Sequence, residues 1–112
     1  MLKFTIKRGD TSPALRFTLL PDSVSLAGAT VRFQMRARGG ATVIDRPAQI
    51  ETLFTPAVVA HRWVSGETDQ AGRFEAEFRV TYLDGTIETF PNLGFIEVFV
   101  IEDVPGLSGS PS

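Results

Sequence analysis

His61 is the one histidine in a chain of 112 residues that contains no cysteine. Those two facts bound the chemistry. Thiol nucleophiles, disulfides, thiolate metal sites and multi-histidine metal centres all need residues that the chain lacks. A Ser-His-Asp arrangement would have to recruit His61, which shares one side of a β-branched run with Val59 and Trp63. That alternation predicts a packed or partly exposed strand residue. Glu75 and Glu77 stand two apart, the spacing of a carboxylate pair on one face of a strand, and paired carboxylates perform glycoside hydrolysis. They alternate, however, with Arg73 and Arg79, and a neighbouring strand offers Arg32 and Arg36. A solvated, ion-paired outer face is expected instead. Glu67, Asp69 and Asp84 fall in loops and could supply oxygen ligands to calcium, without the dense ligand run of an EF-hand loop. Gly39-Gly40 reads as a turn, and no phosphate-cradling Gly-x-x-x-x-Gly-Lys loop or dinucleotide fingerprint is present. Arg8-Gly9-Asp10 spells an integrin-type tripeptide but has the composition of a turn. No catalytic, cofactor-binding or metal-binding residue is assigned.

Composition narrows the class further. A length of 112 residues, 43% hydrophobic and 21% charged, fits one globular domain that buries roughly 65% of its unfolded surface. The formal charge of −2 and a pI near 5.3 give no basis for a nucleic-acid-binding surface. No apolar run approaches the ~18 residues of a membrane span, and Met1 to Arg8 lacks the apolar stretch of a secretory signal.

The elements that must position any site are strands. Leu2, Phe4 and Ile6 alternate with Lys3, Thr5 and Lys7; Leu15, Phe17 and Leu19 alternate with Arg16 and Thr18. Val31, Phe33 and Met35 alternate with Arg32, Gln34 and Arg36, and Phe74 to Tyr82 repeats the pattern over the longest stretch. Thr42–Ile44 and Gln49–Glu51 are strand pieces separated by Pro47, which predicts an edge strand or a bulge. Ala57 to Val64 forms a further strand, Leu83-Asp84-Gly85-Thr86 a hairpin turn, and Ile87 to Phe90 the return. Phe95 to Ile101 closes the series. No capped helical pattern of ten residues or more occurs. The expectation is an all-β, immunoglobulin-like antiparallel sandwich of roughly seven or eight strands over residues 1–103, followed by a flexible Pro/Gly/Ser tail at 104–112.

The last strand is apolar on both sides. Ile96, Val98 and Val100 can enter the core, which leaves Phe95, Phe99 and Ile101 on the other row; exposed together, they would mark a protein contact. The first strand, with Leu2 and Phe4, is a candidate sheet edge tempered by its lysines. These five residues form the expected interface. Trp63 with Tyr82 is the one aromatic pair that could serve a carbohydrate platform, although both fall on inward rows.

Several motifs in order carry a family resemblance. Gly9-Asp10-Thr11-x-Pro13-x-Leu15 precedes Leu26-Ala27-Gly28-Ala29-Thr30-Val31-x-Phe33-x-Met35-Arg36. Val59-x-His61-x-Trp63 and Asp69-x-x-Gly72-x-Phe74-x-Ala76-Glu77-Phe78-x-Val80-Thr81 follow, then Asp84-Gly85-Thr86-x-Glu88-Thr89-Phe90-Pro91 and Ile96-x-Val98-x-Val100. Across about residues 3 to 101 the chain resembles the N-terminal domain of bacteriophage baseplate upper proteins and related small phage proteins. The resemblance implies a non-enzymatic Ig-like virion module, without cofactors, present in the virion and in the host cytoplasm during assembly. Its partners would be other virion proteins of the tail, baseplate, neck or capsid, met in several symmetric copies, with neither nucleic acid nor membrane involved. In that family the domain anchors the subunit to the tail, while a long C-terminal part forms oligomers and binds receptors. The sequence here stops about ten residues after its last strand, so a docking or decoration piece is expected. His61 stands where relatives often carry an aromatic residue, which agrees with packing. The alternative function is a carbohydrate-binding module that aids adhesion to host polysaccharide.

Overall fold

Alternating apolar and polar residues build strands wherever one face can be buried, and nine strands form among the described residues. The computed structural model describes residues 2–102; the tail expected at 104–112 lies outside the described residues. The strands are β1 (Leu2–Lys7), β2 (Leu15–Leu19), β3 (Thr30–Ala37), β4 (Thr42–Pro47), β5 (Gln49–Thr52), β6 (Ala57–His61), β7 (Gly72–Thr81), β8 (Ile87–Phe90) and β9 (Ile96–Ile101). No helix occurs among the described residues. A six-stranded sheet runs β1-β9-β7-β3-β4, with β8 also paired to β7, and a three-stranded sheet runs β2-β6-β5. The two form a β-sandwich.

Two details depart from the sequence expectation. The pairing is mixed, because β1 runs parallel to β9 with Leu2 opposite Ile96 and Lys7 opposite Ile101. Alternation tells which side chains share a face but not the direction of the partner strand. Strands from opposite ends of the chain are also free of the hairpin constraint that enforces antiparallel pairing. The described residues hold nine strands because the segment around Pro47 divides: β4 pairs with β3 in the larger sheet, and β5 pairs with β6 in the smaller. Pro47 ends β4, an edge strand, where its missing N–H costs no interior ladder bond. Ala48 ties the crossing down by donating its N–H to the Val31 carbonyl at 2.8 Å.

The core lies between the sheets. Val31, Phe33 and Met35 of β3, Ala76, Phe78 and Val80 of β7, and Ile96, Val98 and Val100 of β9 are buried against Leu15, Leu19, Ala57 and Val59 of the smaller sheet. Each large side chain contributes roughly 1.5–3 kcal/mol. A one-residue slip of β3 or β7 would replace these rows with Arg32, Arg36, Glu75 and Arg79, so register is fixed by burial. In the rows that remain outside, Arg36 reaches Glu75 at 2.9 Å and Arg32 reaches Asp45 at 2.8 Å. The Asp-Gly turn closes the β7–β8 hairpin. The Gly85 N–H donates to the Tyr82 carbonyl, the Tyr82 N–H to the Thr86 carbonyl, and Gly85 takes φ 89°, a conformation that favours glycine.

Candidate functional site

His61 ends β6 facing the core, 1% exposed. Its ring stacks on Phe33 with centroids 4.0 Å apart and meets the edge of Trp63 at 4.7 Å. The Nε2 atom lies 2.9 Å from Glu67 Oε1. Glu67 also receives Arg46 Nε at 2.7 Å, Arg46 Nη2 at 3.2 Å and the Val64 N–H at 2.9 Å. Burial alone would raise the Glu67 carboxyl pKa, but the Arg46 hydrogen bond, the Val64 amide and His61 together hold it below its ordinary value. The carboxylate is therefore ionised and only accepts, which places the imidazole proton on Nε2. Burial lowers the His61 pKa, with Glu67 opposing, so the ring is neutral at pH 7. The three residues come from β4, β6 and the loop after it. They form a clamp that lets one polar ring pack inside an apolar core.

The loop carboxylates considered for calcium are thus dispersed. Glu67 belongs to the clamp. Asp84 stabilises the hairpin turn by accepting from the Thr86 N–H at 2.9 Å and from its hydroxyl at 2.7 Å. Among the described residues no three Asp, Glu or His side chains converge as a metal site. Arg8-Gly9-Asp10 is held as a turn. Gly9 has φ 87° and donates to the Thr68 carbonyl at 3.0 Å, Thr68 Oγ1 donates to the Asp10 carbonyl at 2.7 Å, and Arg8 pairs with Glu102 at 3.1 Å. Trp63 is 4% exposed and stands between Phe4 and Phe33, so it cannot join Tyr82 in a surface platform. Tyr82 is half-buried and donates its hydroxyl to Glu88 at 2.7 Å.

The expected interface row is rearranged. Ile96, Val98 and Val100 enter the core, and Phe95 and Ile101 are exposed on the other side, as the alternation predicts. Phe4 is a correction: its ring turns inward and stacks on Trp63 at 5.8 Å, because parallel pairing sets Phe4 beside the buried Val98. Phe99 is outward but half-buried, lying between the Lys3 ammonium at 5.7 Å and the Arg73 guanidinium at 5.4 Å. Those cations shade the ring. Leu2 and Ile101 mark opposite ends of the β1–β9 pair, about 17 Å apart at the rise of a parallel strand, so no single patch contains both.

What gathers instead is a corner. Leu2 is 43% exposed, Phe95 38% and Leu93 92%. With Gly94, Glu75 and Glu97 they line a depression of about 350 Å³ at the Leu2 end of β1, the edge strand of its sheet among the described residues. Arg36 lies over Phe95 at 4.9 Å. Leu93 lies outside every alternating row; its signal in the sequence is a large aliphatic residue between Asn92 and Gly94, where a turn gives it nothing to pack on. No family model matches the chain, and a search of curated proteins found no match.

Proposed function

We propose that this domain is a non-enzymatic docking or decoration module of a bacteriophage particle, an immunoglobulin-like sandwich attached to other virion proteins in several symmetric copies. The observation that carries the docking role is the corner of Leu2, Leu93 and Phe95, where exposed apolar side chains meet the edge strand of the larger sheet. The placement in a virion rests on the ordered motifs that resemble baseplate upper proteins. Supporting a binding role over turnover, the buried titratable cluster of His61, Glu67 and Arg46 is committed to its own hydrogen bonds.

The test is incorporation into particles purified from a producing host. Leu93→Glu and Phe99→Glu should both fold, the first because its side chain is already in solvent, the second because Lys3 and Arg73 flank the site. Leu93→Glu should reduce the amount recovered with particles at least tenfold. Phe99→Glu, outside the corner, should incorporate as the wild type does; full incorporation of Leu93→Glu would refute the docking face, and a wild-type protein that accompanies no particle would refute the virion assignment.

A further inference from the structure

The corner has a charge as well as a shape. Glu97 faces Glu75 directly across β7 and β9, and Glu77 follows Glu75 on the same face. Like charges placed opposite one another in a sheet are destabilising. Arg36 answers Glu75, but no ion pair among the described residues reaches Glu77 or Glu97. Lys3 is the register partner of Glu97, yet its ammonium lies over Phe99. A second hollow, of about 150 Å³, shares Glu75 and Phe95 with the first and brings in Glu77. Lining the two hollows, three carboxylates therefore stand with one guanidinium beside three exposed apolar side chains, while Arg73 and Arg79 continue the same row of β7 beyond the lining.

The geometry points to a specific occupant: a partner-protein segment that carries an apolar side chain flanked by lysine or arginine. Its apolar residue would rest against Leu93, Phe95 and Leu2, and its cations would relieve the Glu75–Glu97 opposition and reach Glu77. This inference rests on the docking role proposed above and adds the chemistry of what docks.

The experiment titrates isotopically labelled full-length protein with the blocked peptide Gly-Lys-Leu-Lys-Gly, followed by amide NMR shifts. Gly-Glu-Leu-Glu-Gly serves as the control. The basic peptide should shift Leu2, Glu75 and Leu93 to Glu97 saturably, more weakly as salt is added, and at least tenfold more weakly with Leu93→Ser plus Glu97→Gln. Equal responses to the two peptides, or shifts centred elsewhere, would overturn the inference. Concentration-dependent shifts of the same residues without peptide would overturn it too, by naming a second copy as the occupant. Particle incorporation separates the two readings. Loss of incorporation by Leu93→Glu together with a failed titration would remove the cationic segment and leave the docking role standing.

Discussion

Glu67→Ala tests the clamp around His61. Removing the carboxylate strips His61 Nε2 of its partner inside the core and releases Arg46 and the Val64 N–H. Arg46 has a side chain 38% exposed and regains water, so its share is small. The imidazole is different, since an unsatisfied buried donor costs about 1–3 kcal/mol. Adding about 1 kcal/mol for the Val64 amide and residual pairing gives a loss on the order of 2–4 kcal/mol. At about 2.1 cal/mol/K per residue, the unfolding entropy of a 112-residue domain makes each kcal/mol worth about 4 °C. The melting temperature should fall by about 8–16 °C on that scale. Urea denaturation at pH 7.5 should show a lower midpoint with an unchanged slope. The same substitution in a His61→Phe background should cost less than half as much, because the Phe33 stack survives and no polar atom is stranded. A loss below about 0.5 kcal/mol, or equal losses in both backgrounds, would refute the assignment of the cost to His61.

Three further outcomes follow from titration and burial. Burial sets the folded His61 pKa below 6.5, so between the two values the unfolded chain binds a proton that the folded one refuses. Stability from this group is complete above pH 6.5 and declines as the pH falls, and Glu67, held below 4.5, adds a further loss at lower pH. His61→Phe should flatten the decline between pH 7 and 5 in urea midpoints; an identical profile would contradict a buried neutral imidazole. Tyr82 is the sole tyrosine, so ultraviolet titration reads it alone; burial first and Glu88 second push its pKa to about 12. Glu88→Gln should bring the midpoint part of the way back toward 10, and a folded wild-type midpoint near 10 would contradict the contact. Trp63, the sole tryptophan, should emit at short wavelength and resist iodide quenching, and neither property should change with added polysaccharide. A glycan-dependent shift would revive the carbohydrate-binding alternative.

Much of the architecture is legible in the sequence because burial writes itself as alternation. Phe33, Phe78 and Val98 point inward, as their spacing requires, and Asp84-Gly85 turns where the dipeptide demands it. What alternation does not encode is which distant strand lies alongside. The parallel seating of β1 on β9 decides that Phe4 meets Trp63 and that Lys3 shades Phe99, and each depends on a pairing across nearly the whole chain. Glu67 was unreadable for the same reason. A carboxylate in a polar loop carries no local mark of an arginine on β4, whereas a histidine facing inward does announce that some acceptor must exist. The corner was half visible: Leu2 and Phe95 could be named, while Leu93 and the carboxylates beside it required the fold.

Parallel pairing of β1 with β9 also bears on mechanics. Tension applied at the start of β1 and the end of β9 pulls the two strands along their length in opposite directions. Their evenly spaced hydrogen bonds then share the load and resist sliding together, where a hairpin pulled at its open ends would give way rung by rung. A pull along the line through β1 and β9 is thereby met by shear across the whole ladder at once.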